Sequence, residues 1–459
     1  MNIKNDFIKL LSIFLKVMYY FVRSIFKFIA VIFVWMFNFK TRKIHGSAKW
    51  AGPILKKKLL NLSNDGLVID GINRINLENS FRHCAIIAPT GAGKTSSYII
   101  PNVLQLSHSM VITDPSGEIY TNTCQTLSHK GFDIRCINVQ NFSKSHFYNP
   151  LSRANTETDV KKLTEILIRN AYKKNDNNGQ EFWNNQAKSI LNIIIRVVLK
   201  EAPKYRNLYN VRQLLNMYGL TKFESIVQNN ADNNTYNEFL GFENQDEKVT
   251  SGAISTAKAA LEPFSDTKLC QMTSKETLQF EDIRNKPVAI FLIIPEHEIR
   301  YYSFLCSLLY SQLFNYCSKN FSKNMLPVFF LLDEFGNIGN IPDFETYITT
   351  LRKRACSISI ILQDIKQIKK NYGADSDSTI INGGCTGKLF FSGLGIETCK
   401  YVENLLGKQT IYDFDISGKR QKVGRSLLTA DEIRRMKKNE AIYVFGNQSP
   451  VKLKITPYY

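Results

Sequence analysis

The chain has 459 residues, 44% of them hydrophobic, which is ample for a large core and for two or three domains. Nine cysteines without a C-x-x-C pair, and only six histidines, exclude a disulfide scaffold, a zinc site and a histidine-built metal centre. The formal charge of +19 is uneven: residues 1–58 hold twelve Lys or Arg and one acid (Asp6), leaving only +8 for the other 401, so most of the basic signal concerns a membrane.

Residues 7–39 are rich in Ile, Leu, Val, Phe and Tyr, interrupted by Lys9, Lys16, Arg23 and Lys27. The longest uncharged piece, 28–39, would span about 18 Å as a helix. A comfortable spanning helix needs about twenty apolar residues. The cation intervals put all four charges within a narrow arc of one helical face. The favoured reading is a spanning helix over roughly 18–39, with Arg23 and Lys27 snorkelling or facing a partner helix. An amphipathic helix lying in the interface, with its basic stripe toward lipid headgroups, also fits. Lys40, Arg42, Lys43, Lys49 and Lys56 to Lys58 follow, so the positive-inside rule puts the body in the cytoplasm. The long aromatic run fits poorly with a cleaved signal peptide.

Strand and helix then alternate. A short apolar strand over 83–88 leads into Ala88-Pro89-Thr90-Gly91-Ala92-Gly93-Lys94-Thr95, followed by a helix over 95–106. Strand, Gly-rich loop and helix are the setting in which backbone N–H groups wrap phosphates, an ammonium sits on them and a hydroxyl meets Mg²⁺. Ala88 departs from the full pattern, which has Gly there. Strands over 110–114 and 133–139 complete a parallel-sheet signature. From 155 to 265 the pattern is almost wholly helical, with helices over 158–172, 182–199 and 211–218 and Asn-rich breaks at 175–178 and 229–237. Alternation resumes with strands over 288–294, 328–332, 357–362, 388–392 and 441–445, an edge strand over 451–456 and a long helix over 296–317.

The strand at 328–332 ends in Asp333-Glu334. One carboxylate holds a metal, usually through water, and the next polarises an attacking water. Gln363 ends the next strand at the same expected sheet edge, where it can sense a γ-phosphate or orient water; a plain turn or cap residue is the other reading. Arg352, near the end of the intervening helix, can reach a neighbouring subunit's phosphate as an arginine finger; a cation complementing a helix C-terminus is the other reading.

At this point the chain resembles the TraG/VirD family of type IV secretion coupling proteins, the membrane ATPases of conjugation. The resemblance rests on His45-Gly-Ser-Ala-Lys-Trp-Ala51, the Gly-rich loop, Asp114-Pro-Ser-Gly-Glu-Ile-Tyr120, Phe182-Trp-Asn184 and the long Leu331–Phe344 segment. Ile361-Leu-Gln-Asp364, Glu397–Gly407 and Arg425–Arg434 continue it. It implies an α/β, RecA-like P-loop NTPase with a mainly parallel sheet, an all-α inserted domain and an N-terminal membrane helix. The expected divisions are 1–44 as anchor, 45–154 and 266–459 as the nucleotide-binding domain, and 155–265 as the insertion. It implies ATP and Mg²⁺ as cofactors. Pro89, Thr90, Gly91, Ala92, Gly93, Lys94, Thr95 and Ser96 bind nucleotide, with Lys94 on the β/γ-phosphates. Thr95 and Asp333 hold Mg²⁺, the latter through water. Glu334 activates the attacking water, Gln363 senses phosphate and Arg352 acts in trans.

The resemblance further implies a homo-hexamer in the bacterial inner membrane. It would hand relaxase-bound single-stranded DNA, or protein effectors, to the inner-membrane proteins of a secretion channel. DNA contacts are expected to be sequence-tolerant, because no base-reading motif is present. The chain departs from the family at Ser116, where Lys is frequent. It has room for one ordinary spanning helix, or a tight hairpin of two short ones, where two spans are common, and docking through an acidic C-terminal tail is not expected. A double-stranded DNA pump with the same core, or a non-hydrolysing membrane docking platform, are the competing functions.

Overall fold

The computed structural model describes residues 18–19, 21–29, 44–172, 178–414 and 418–459. The chain divides into two compact units, one drawn from residues 1–48 and 407–427, the other from 49–406 and 428–459. Among the described residues eleven strands follow in chain order: β1 Cys84–Ile87, β2 Ser109–Asp114, β3 Asp133–Asn138, β4 Val288–Ile293, β5 Val328–Leu332, β6 Cys356–Leu362, β7 Gly387–Phe391, β8 Lys408–Phe414, β9 Arg420–Ser426, β10 Glu440–Phe445 and β11 Val451–Lys454.

Nine of them form the sheet of the larger unit, in the order β11-β10-β7-β1-β6-β5-β2-β4-β3. The seven from β7 to β3 pair in parallel; β10 and β11 join antiparallel at one edge. Every residue of β1, β2, β4, β5, β6 and β7 is buried. Strands covered on both faces read as unbroken apolar runs, which is why the sequence located them. Between β3 and β4 the chain is helical from Glu157 to Met272 apart from connectors and a short undescribed piece. The first of these helices, Glu157–Ala171, opens on a capping box between Thr156 and Asp159.

Local chemistry moves several expected boundaries. The helix expected over 95–106 is split: a wide π-type turn over Thr95–Ile99 precedes an α-helix over Ile100–Gln105. Pro101 has no N–H to give the Ser97 carbonyl, and its ring crowds it, so the preceding turn widens. The helix expected over 296–317 begins only at Ser303 and runs to Lys319, after a series of turns. The Asn-rich stretch 229–237 is mostly helix: Thr221–Asn230 and Asn233–Glu243 leave only Ala231 and Asp232 between them. Asp232 accepts from the Thr235 N–H and restarts the helix, so polarity there marks a cap.

In the smaller unit, Met18, Tyr19 and 21–29 are helical, with Phe21, Phe26 and Phe28 exposed. Among the described residues no helix is long and apolar enough to cross a membrane. The rest of the expected span, residue 20 and residues 30–39, and the upstream apolar residues 7–17 lie outside the described residues. The same unit contains a hairpin of β8 and β9 that the sequence reading missed, with Ser47 bridged to Gln409 at its edge.

Arg284 ties the larger unit together where β5 and β6 begin. It is buried, and its guanidinium donates to the carbonyls of Leu326 (2.9 Å), Cys317 (3.3 Å) and Arg354 (2.8 Å) and to Cys356 Sγ (3.1 Å). One planar fork thus joins the end of helix Ser303–Lys319, the approach to β5 and the start of β6. Arg284→Met leaves several buried carbonyls unpaired, each costing about 1–3 kcal/mol. A denaturant melt is expected to show a loss of at least 3 kcal/mol, roughly the sum of the smaller penalties. Unchanged stability would mean that water reaches these carbonyls.

Candidate active site at the sheet rim

The order β1-β6-β5 places the ends of three strands side by side. Ile87 is level with Leu362, and Leu332 with Ile360. At roughly 4.8 Å per strand, β1 and β5 end about 10 Å apart with β6 between them. Ala88, Gln363 and Asp333 leave the sheet at this common rim.

In the loop after β1, Gly91 and Gly93 have φ of 76° and 88°. A Cβ on Gly91 would meet open space and on Gly93 only ordinary contacts, so backbone conformation and not crowding demands glycine there. Their N–H groups have no backbone acceptor among the described residues, which suits a loop that donates to an anion. Ala88 is explained: it lacks positive φ, is buried, and its N–H bonds to the Leu362 carbonyl at 2.9 Å. Alanine fulfils that role as well as glycine. The hydroxyls of Ser96 and Ser97 both donate to the Gly93 carbonyl, at 3.2 and 2.6 Å, and fasten the loop to its helix.

Lys94 crosses from this loop to the acids. Its Nζ lies 2.9 Å from Asp333 Oδ1 and also donates to Glu334 Oε1. Burial works against its charge, but the two carboxylates outweigh burial and hold its pKa above the usual lysine value. Asp333 and Glu334 are 4% and 2% exposed. Burial pushes the Asp333 carboxyl up to about 6 despite Lys94. Glu334 adopts φ 52°, ψ 41°, a left-handed conformation rare for a residue with a side chain. Its N–H bonds to Asp333 Oδ1 at 3.0 Å. That conformation costs about 1–3 kcal/mol and persists because the surrounding contacts hold it.

Gln363 donates its amide to both Glu334 oxygens, at 3.1 and 3.0 Å, and its backbone N–H bonds to Gln367 Oε1 at 2.9 Å. The structure therefore seats it on the second acid. Arg352 is not brought to this rim. It is exposed in a 3₁₀ turn, Leu351–Arg354, just before β6 begins, while Gln363 follows its end. Seven strand residues at about 3.3 Å each separate the two. Asp114, the first residue of the Asp114–Tyr120 motif, ends β2, buried, with Oδ2 accepting from the Tyr120 N–H at 2.8 Å and Oδ1 without a hydrogen-bond partner among the described residues. Its pairing strand is β5, so it ends at the same rim.

The donors suit Mg²⁺. Thr95 and Asp333 offer hard oxygens, and among the described residues no group of three or more His, Cys, Asp or Glu could hold a metal alone. Magnesium usually takes one or two protein oxygens and keeps water and phosphate ligands.

Comparison with known proteins bears on the family and the fold. The model of the family described as "Type IV secretory system Conjugative DNA transfer" matches residues 42–459. Protein VirD4 of Rhizobium radiobacter is 23% identical over 92% of this chain and 65% of its own length. A conjugal transfer protein TraG of Escherichia coli is 23% identical over 78% of this chain and 62% of its own. The chain thus spans just under two thirds of these relatives. Among solved structures, the bacterial conjugative coupling protein TrwBdeltaN70 aligns with a TM-score of 0.71 at 14% identity, covering 89% of this chain and 93% of that one. TrwB in complex with the ATP analogue ADPNP aligns at 0.70 and 15%, covering 91% and 94%. These likenesses show a TrwB-like α/β fold.

The raised Asp333 carboxyl has a measurable consequence. The native state holds this proton more tightly than the unfolded chain, whose carboxyl titrates near 3.8. The associated stability is fully present below about pH 4 and is lost as pH rises through about 6. The loss is on the order of 3 kcal/mol at about 1.4 kcal/mol per pH unit. Asp333→Asn is expected to flatten this part of the profile and to leave the nucleotide-free protein more stable than wild type at pH 7. Equal or lower stability at pH 7 would show that Lys94 fully compensates the buried charge.

Proposed function

We infer, from the fact that this chain belongs to the type IV secretory system conjugative DNA transfer family, that it is a membrane-attached coupling ATPase. The observation that carries the reading is the convergence of Lys94 on Asp333 and Glu334, with Gln363 fixed on Glu334. Support comes from the relatives' names and from TrwB structures that hold ADPNP in one case and ADP with Mg²⁺ in another.

In this reading the chain is a RecA-like P-loop motor. The loop from Pro89 through Thr90, Gly91, Ala92, Gly93 and Lys94 to Thr95 and Ser96 donates to the triphosphate, and the Lys94 ammonium turns from the acids to the β/γ-phosphates. Thr95, and Asp333 through water, would hold Mg²⁺, which would supply positive charge against the phosphate oxygens. Glu334, freed of Lys94 and held by Gln363, orients and polarises the attacking water. Arg352, remote from its own chain's site, reaches a neighbouring subunit's phosphates in a homo-hexamer. The cargo is relaxase-bound single-stranded DNA, protein, or both, passed to secretion-channel proteins. The N-terminal segment holds the protein at the bacterial inner membrane with its body in the cytoplasm.

Lys94→Ala and Glu334→Gln are each expected to lower ATP turnover by at least a hundredfold, roughly the scale of losing a principal electrostatic or general-base group. Glu334→Gln should still retain nucleotide. Wild-type turnover in either variant would refute the catalytic assignment. For Arg352, the informative experiment mixes two inactive chains. If the arginine acts in trans, Arg352→Ala combined with Glu334→Gln restores part of the turnover, because some interfaces then carry both intact groups. No recovery in co-assembled mixtures would return Arg352 to a helix-end role.

Affinity for a single-stranded oligonucleotide of mixed sequence is expected to fall with salt, with a log–log slope of about −0.7 per phosphate contact. Salt-independent binding would remove a DNA channel from the proposal.

A further inference from the structure

The β8–β9 hairpin is a part of the chain that the motor chemistry leaves unused. Its register pairs Tyr412 with Lys422 and Phe414 with Arg420, so these four residues share one face near the tip. Phe414 is 69% and Tyr412 43% exposed. Arg420 lies over the Tyr412 ring at 3.8 Å and Lys422 at 5.7 Å. The described acid of the hairpin, Asp413, falls on the other face, beside half-buried Ile411 and Val423. One face therefore carries two large exposed rings and two cations without a described carboxylate.

The N-terminal segment meets this same face. Thr410 Oγ1 accepts from the His45 N–H at 3.1 Å and donates to the Gly46 carbonyl at 3.2 Å. His45 crosses Gly424, where an added Cβ would stand 2.9 Å from the His45 Cβ. Thr410 and Gly424 are paired on the aromatic face, one pair below Tyr412 and Lys422. That is a separation of about 7 Å along the strands. The apolar run ends at Phe39, eight residues before Ser47, a reach of at most about 28 Å. Lys40, Arg42 and Lys43 lie in that interval.

We propose that the Tyr412–Phe414–Arg420–Lys422 face is a second membrane contact, which seats its rings at the interface and its cations on anionic phospholipid headgroups. Aromatic residues favour the headgroup level, and each Lys or Arg near an anionic leaflet strengthens binding. A single-stranded nucleic acid also uses rings and cations, but the short tether to the apolar segment favours lipid. The inference rests on the reading that the N-terminal segment enters a membrane.

The test uses the full chain on phospholipid vesicles brominated near the headgroup, with or without phosphatidylglycerol. Phe414→Trp reports the hairpin, and the difference between wild type and Trp35→Phe reports the apolar segment. The expected result is quenching of Trp at 414 that needs phosphatidylglycerol and fades as salt is raised. Added Arg420→Gln and Lys422→Gln should weaken hairpin insertion roughly thirtyfold, while leaving ATP turnover intact as evidence of folding. Quenching at Trp35 but not at 414 would overturn the hairpin contact and leave the anchor standing. Quenching at neither would overturn both. A response at 414 to a single-stranded oligonucleotide and not to lipid would reassign the face to nucleic acid.

Discussion

The ion pair of Lys94 with Asp333 and Glu334 is the constraint on which the site depends. It joins a loop near the start of the chain to a strand end two thirds along it. No local interaction could do this. It requires β1, β6 and β5 to lie in that order and in parallel, so that their carboxyl ends share one rim. The buried apolar strands set that order, and the polar residues at their ends inherit the geometry. Two acids and one cation, nearly removed from water, would be costly without each other. Their mutual dependence makes the rim sensitive to any anion that competes for the lysine.

Much of this was legible because the physics is local. Gly91 and Gly93 are glycines for their backbone angles, and a sequence motif is a record of such angles. Runs such as Val328–Leu332 have no polar face, so they are recognisable as interior parallel strands. Even the irregular Ala88 became intelligible once its ordinary backbone angle was known. The seating of Gln363 on Glu334 was only half legible: strand order predicts that the two meet, but not that both carboxylate oxygens accept from one amide.

The features missed depend on distant partners or on competing local signals. β8 and β9 lack the alternating apolar pattern of a half-buried hairpin, since rings and cations mix on one face and both faces are partly exposed. The Asn-rich region 229–237 reads as a break by composition, yet its residues serve at a helix end and a helix start. Pro101 was visible in the sequence, but its effect is a widened turn and not a stop, because the loop upstream already fixes where the helix begins. Arg352 could be placed near a helix end from sequence, but the sheet direction that puts it at the far rim is a property of the fold.

The charge balance at the rim also explains why a divalent cation belongs to the reading. Lys94 with Asp333 and Glu334 leaves the cluster with one net negative charge, and Asp333 already titrates well above an ordinary carboxyl. A triphosphate at this rim would bring several more negative charges to the same volume and would compete with the acids for the lysine. In a poorly solvated site the resulting repulsion would exceed what backbone N–H groups alone can offset. A hard dication held by Thr95 and Asp333 would offset this charge and would lower the cost of keeping that carboxylate ionised. The raised Asp333 carboxyl and a site for Mg²⁺ would then be two expressions of one arrangement, because that acid is buried too deeply to stay charged at low cost without a cationic partner.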